Sequence, residues 1–155
     1  AKLNARMLTP RGALPELLQD LDGADEDAET RANQRAIREV LRMVTFVVES
    51  TNDNAKLYGY WRGPDKTPLA QCPIVGFDSE GTISREIGAS LVDILLQESC
   101  YDEAELFVER KAALEKAGLA IKTKRWDDYT SRAKWKTDPE KLHAKLYAKY
   151  RKERR

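Results

Sequence analysis

Histidine and cysteine are nearly missing from this chain, with one of the first and two of the second in 155 residues. With His143 alone, a multi-histidine metal site is excluded, and a Ser-His-Asp or Cys-His arrangement would have to use His143 itself. Cys72 and Cys100 form no C-x-x-C pair and have no second pair beside them, so neither a zinc site nor a disulfide framework is supported. Reduced thiols are the plain reading. Long apolar runs are also lacking: "MVTFVV" and "LVDILL" fall well short of the ~20 residues that cross a bilayer, and the first residues hold no signal-peptide core. The chain therefore reads as soluble and cytoplasmic; it starts at Ala1 rather than Met, which leaves its true start open. Neither the G-x-G-x-x-G nor the Walker spacing occurs, because Gly59 and Gly63 in "GYWRG" belong to a strand and its exit rather than a strand-to-helix turn. Phosphate cradling is not expected, and neither is a cofactor.

What is present is a core and a segregated set of charges. Hydrophobic residues make up 41% of the chain, enough for one domain spanning 1–155, in which 120–155 reads as a basic C-terminal extension with a docked helix. The formal net charge of +1 hides two acidic blocks. "LPELLQDLDGADEDAET" holds Glu16, Asp20, Asp22, Asp25, Glu26, Asp27 and Glu29 with no base among them. A second block sets Asp78, Glu80, Glu86, Asp93, Glu98, Asp102, Glu103, Glu105 and Glu109 against Arg85. Local fields then matter more than the total.

Periodicity gives the elements. The start of the first acidic block fits a short helix that opens into a solvated loop near Gly23. Ala32, Ala36, Ile37, Val40 and Leu41 recur at helical spacing, and a buried strand follows over Met43 to Glu49. "TNDN" is turn chemistry, making a hairpin with "KLYGYWRG". In that strand Lys56, Tyr58, Tyr60 and Arg62 alternate with Leu57, Gly59 and Trp61, which predicts an aromatic, basic outer face and an inward one. "GPDKTP" breaks the strand, "CPIVGFD" restarts one, and "DSEG" turns into "TISREI". Ser90 and Asp93 open one helix; Asp102 with Glu105, and a Tyr101–Leu106 staple, open a second that ends at Gly118 and packs through Leu106, Phe107, Ala113, Leu114 and Ala117. Asp138 caps a last helix with Pro139 in its first turn, and its Leu142, Leu146 and Tyr150 face is expected to dock on the domain. The fold class is α+β, an antiparallel β-meander flanked by helices.

Each chemical candidate has an ordinary reading beside it. His143 lies among the aromatics of the last helix and reads as a packed histidine. Asp78 and Glu80 in "DSEG" are paired carboxylates, yet acidic residues before a Gly are common turn formers. Lys141, Lys145, Lys149 and Lys152 make a stripe that could contact phosphates, or simply the solvated side of a surface helix. The second acidic block could steer a cationic protein, although capping accounts for part of it.

The span "FVVESTNDNAKLYGYWRGPDKTPLAQCPIVGFDSEG", followed by "GASLVDILLQ", resembles the central block of the SMI1/KNR4, or SUKH, superfamily over Phe46 to Gln97, and "AALEKAGLAI" resembles the downstream helix and turn of bacterial members. The family's amino-terminal helix is not evident, "GALPELLQDL" being a partial echo of it; either the chain begins late or it is a divergent member. The resemblance implies a SUKH-like α+β fold, an architectural role for the aromatic strand, and inhibition by stoichiometric binding, as in bacterial immunity proteins that stand beside nuclease toxins. The expected function is thus non-enzymatic capture of a cognate toxin protein. Asp78, Glu80, Glu86, Asp93 and Glu98 would provide steering, and Tyr58, Tyr60, Trp61 and Arg62 would be anchors if exposed. Two alternatives stand beside it: a nucleic-acid or scaffold module using the lysine stripe, and an enzyme whose site has no sequence motif.

Overall fold

Asp27 starts the first described helix by accepting hydrogen bonds from the backbone N–H groups of Glu29 (2.7 Å) and Thr30 (2.8 Å). From there a computed structural model describes residues 27–50, 56–78, 81–86, 90–100, 103–127 and 135–153, together with 5–7. In chain order these form β1 (Ala5–Met7), α1 (Ala28–Leu41), β2 (Val44–Ser50), β3 (Leu57–Trp61), a 3-10 turn (Leu69–Gln71), β4 (Ile74–Phe77), β5 (Ile83–Arg85), α2 (Leu91–Cys100), α3 (Ala104–Lys116) and α4 (Pro139–Lys152). The helix expected in the first acidic block, the "TNDN" turn and the Tyr101–Asp102 cap lie outside the described residues. α3 itself begins after Glu103, which makes no side-chain cap bond.

The strands form one sheet in the order β1-β2-β3-β4-β5, with every neighbouring pair antiparallel. This is the expected α+β meander with helices around it. The β3 side chains alternate as expected, but the Tyr face is covered as well. Leu57 and Trp61 pack with Ile37, Val40 and Leu41 of α1 and with Leu142 and Leu146 of α4. Tyr58, on the opposite face, packs with Ile94 and Leu95 of α2, and Tyr60 packs against the same cluster. The Tyr face therefore does not face solvent. α2 covers it, and the sheet is buried on both sides. On its far side α2 sends Leu96 and Cys100 to Phe107 and Leu114 of α3. Ala113 and Ala117, placed by sequence on the α3 packing face, are exposed.

A β-bulge between Phe46 and Val48 makes two-sided burial possible. Before it Val44 and Phe46 pair with Trp61 and Gly59, and after it Val48 pairs with Tyr58. The extra residue shifts the period, so Val44 and Phe46 join the α1/α4 side while Val48 joins the α2 side. Gly59 is required at the crossing: a Cβ there would lie 2.6 Å from Val44 Cγ1 and 2.9 Å from Phe46 Cα.

α4 is fixed at its start and along the face it turns to α1. Asp138 accepts from Glu140 N (2.9 Å) and Lys141 N (3.2 Å), with Pro139 in the first turn. Trp61 Nε1 donates to the Thr137 carbonyl at 2.8 Å, and Arg85 reaches Asp138 at 3.3 Å. Tyr150 is buried against Ala32 and Ala36 of α1, under the Arg35 guanidinium 4.0 Å from its ring centre. Because Leu146 bridges both of these contacts, Leu146→Asp is expected to destabilise the protein by about 2 kcal/mol or more and to open α4 to trypsin. Urea denaturation with limited proteolysis checks this, and wild-type values in both would show that α4 is held without its apolar face.

Candidate functional site

The aromatic strand is structural. Tyr58 and Trp61 are buried, at 0% and 3% exposure, which corrects their expected place as surface anchors. Tyr60 is half-buried. Arg62 spends its guanidinium on the following loop, donating to the carbonyls of Thr67 (3.2 Å) and Lys66 (3.4 Å). The Cys72 thiol donates to the carbonyls of Thr67 and Pro68, both at 3.3 Å, and Leu69 stands exposed at the loop tip. The Gly and Pro of "RGPDKTP" thus shape an ordered loop rather than a phosphate cradle, with Gly63 and Lys66 in the left-handed region at φ 62° and 52°.

The second acidic block is divided by the fold. Asp93 is fully buried and accepts from the backbone N–H groups of Lys122 and Thr123 at 2.8 Å each, while Ser90 caps the same helix turn with it. It is an internal fastener, not a steering charge, because a buried carboxylate is retained only where donors satisfy it. Asp78 accepts from Thr82 N at 2.9 Å across the β4–β5 turn, and Glu80 lies outside the described residues. Glu103, Glu105 and Glu109 are exposed on or beside α3, and Val108, between the last two, is 66% exposed.

Glu86 and Glu98 come together in an arrangement the linear sequence did not reveal. Tyr58, Gly76 and Ser84 form a cross-strand row on the α2 side of the sheet. Lys56, just before β3, extends over this row to bind Glu86 at 2.7 Å and Glu98 of α2 at 3.7 Å. Ser84 Oγ donates to Glu86 at 2.6 Å. Gly76 keeps the row open, since a Cβ there would collide with Lys56 Cε, Glu86 Oε1 and Ser84 Oγ. The Tyr58 hydroxyl is buried facing the Glu98 carboxylate without a hydrogen bond of good geometry, and burial, followed by the interaction with Glu98, raises its pKa well above the phenol range. Burial likewise raises the Glu98 carboxyl, and Tyr58 and Lys56 only partly offset it. Lys56 and Ser84 were missed because the register that joins them cannot be read from either segment alone.

On the opposite side of the molecule Lys141, Lys145, Lys149 and Lys152 are all exposed on α4. Lys145, Ala148, Lys149, Lys152 and Glu153 line a shallow depression of about 540 Å³. His143, on this helix, is half-buried and stacked on Tyr147 with ring centres 6.4 Å apart. Burial lowers its pKa, partly opposed by a hydrogen bond to the Asn33 backbone, and its Nε2 has no partner. Among the described residues no group of three or more His, Cys, Asp or Glu is placed to hold a metal ion, and no helix is long and apolar enough to cross a membrane.

The Glu98 environment has a measurable consequence. A carboxyl whose folded pKa is raised holds its proton better in the folded state, so stability increases as pH falls through that pKa and the penalty of ionisation is carried in full above it. Glu98→Gln removes the penalty. It is expected to raise the thermal midpoint at pH 7 and to flatten the rise expected of the wild-type chain on mild acidification; a lower midpoint at pH 7 would contradict this account. Set against protein-family models, curated proteins and solved structures, the chain matches none of them.

Proposed function

We propose that this protein is a non-catalytic binding module of the SMI1/KNR4 (SUKH) type, a cytoplasmic bacterial immunity protein that neutralises a cationic toxin domain, such as a nuclease, by stoichiometric capture. The order of elements supports this reading. From Phe46 to Gln97 the chain runs strand, aromatic strand, Pro-bounded loop, apolar strand and helix in the order that the resemblance implies, with the short strand β5 added before the helix.

The observation that carries it is the outer surface of α3. Val108 stands out of a helix whose flanking Glu105 and Glu109 are exposed, with Glu103 at its start. Three exposed carboxylates stand near this apolar point, and the base one turn on, Lys111, is turned to the Thr123 carbonyl; such a surface suits a partner that itself holds a polyanion, the carboxylates speeding encounter and the apolar contact slowing release. The neighbouring α2 adds no exposed base.

A second reading, a nucleic-acid-associated scaffold, draws on α4, where Lys141, Lys145 and Lys152 have no ion-pair partner among the described residues. Retention on generic duplex DNA that falls steeply with salt, and is lost when these lysines become Glu, would favour it over the first.

The first reading is tested with the toxin-like product of an adjacent gene. Wild-type chain is expected to bind it and protect cells expressing it. Glu105→Lys with Glu109→Lys should slow association at low salt by about tenfold, and Val108→Arg should speed dissociation, both without loss of fold. Absence of binding and protection by the wild-type chain overturns the reading; unchanged kinetics in the variants removes α3 from the interface.

A further inference from the structure

The Lys56–Glu86–Glu98 cluster is out of charge balance. Two carboxylates share one ammonium, and the sharing is unequal: Lys56 sits 2.7 Å from Glu86 and 3.7 Å from Glu98. Glu86 also receives the Ser84 hydroxyl, and only 13% of its side chain is exposed. Glu98 is left with the long contact and with the buried Tyr58 hydroxyl, which faces its carboxylate and partly offsets its burial but makes no hydrogen bond of good geometry. No other cation among the described residues reaches it. At 31% exposure its side chain is the open member of the cluster, reachable from solvent yet sheltered enough that its only partly compensated charge is costly. A glutamine would fill the same space without that cost. The carboxylate is thus held in a prepared polar setting, at the expense of stability, with one counter-charge lacking.

We infer that Glu98 is the receptor for a single cationic side chain of the protein partner, an arginine guanidinium by preference, which completes the charge balance of this cluster. The owner of the guanidinium rests on the toxin-binding reading above; the chemistry of the site does not. Arginine fits better than lysine because a planar, weakly hydrated guanidinium can meet a half-buried carboxylate through paired N–H donors, whereas an ammonium must shed a tighter water shell. Lys56 does not repel it, since Glu86 already neutralises that charge at 2.7 Å. Residues held at a stability cost where a partner supplies the missing interaction are what a functional site is expected to contain.

Two measurements test this. Carbon-detected NMR follows the Glu98 carboxyl while N-acetyl-arginine amide is added, with N-acetyl-lysine amide and sodium chloride as comparators at equal ionic strength. Expected are a saturable Glu98 shift with the arginine probe at millimolar concentration, a weaker one with lysine, only screening with salt, and an accompanying shift of the neighbouring Glu86 carboxyl that is lost in Glu98→Gln but kept in Glu105→Gln. In the toxin complex, Glu98→Gln is expected to accelerate dissociation by about tenfold or more while the fold becomes more heat-stable. The inference is overturned if the arginine probe acts no differently from salt, or if Glu98→Gln binds toxin as tightly as wild type. If the wild-type chain binds no toxin, the functional reading fails, and the small-probe titration still decides the site.

Discussion

Burial of β3 on both faces is the constraint on which the rest of the structure depends. A five-residue strand with α1 and α4 on one side and α2 on the other must present large apolar groups in both directions, which Leu57, Tyr58 and Trp61 do. The neighbouring strand must then change faces to match, and the bulge after Phe46 makes it do so. Close approach leaves no room for a side chain at Gly59. The dense run of aromatics, Gly and Pro around "GYWRGPDKTP" is therefore the requirement of a crowded central strand and of the loop by which it leaves, with Arg62 spent on holding that loop.

Much of the scaffold was legible in the sequence because it depends on local chemistry. The α1 apolar spacing, the strand of β-branched residues after it, the Ser90–Asp93 opening of α2, the Gly118 stop and the Asp138–Pro139 start each act over a few residues, and each occurs where expected. What was not legible depends on partners distant in the chain. Alternation in β3 marks two faces but does not say that both are covered. Asp93 looks like any surface acid until Lys122 and Thr123 bring their N–H groups to it. Lys56, Ser84, Glu86 and Glu98 become one cluster only through the β3–β4–β5 register and the docking of α2. Glu86, Asp93 and Glu98, adjacent in the acidic block, thereby acquire three different roles.

The layered arrangement also separates the charges. The exposed Glu103, Glu105 and Glu109 lie at the start of α3 on one side of the sheet and the exposed lysines of α4 on the other, although α3 itself also carries Arg110, Lys111 and Lys116. A cationic partner at this face would meet Glu103, Glu105 and Glu109 together, at the start of the helix. Once there, it would find little of the carboxylate charge spent on local ion pairs, because Lys111 reaches Glu115 only at 4.0 Å and donates to the Thr123 carbonyl at 2.7 Å.

The pairing of α1 with α4 sets the order in which the chain can finish folding. Arg35 meets Glu153, and Tyr147 donates to Glu29, each across 118 positions. During synthesis α1 and the sheet face it shares with α4 emerge long before α4 exists; at 5–20 residues per second the interval between Leu41 and Pro139 is roughly 5 to 20 s. Through that time Ile37, Val40 and Trp61 lack their final cover, and Trp61 lacks the carbonyl of Thr137. A nascent chain of this protein accordingly exposes part of its core until its last helix arrives, and a ribosome stalled before residue 139 holds a sheet whose α1 face lacks the cover of α4.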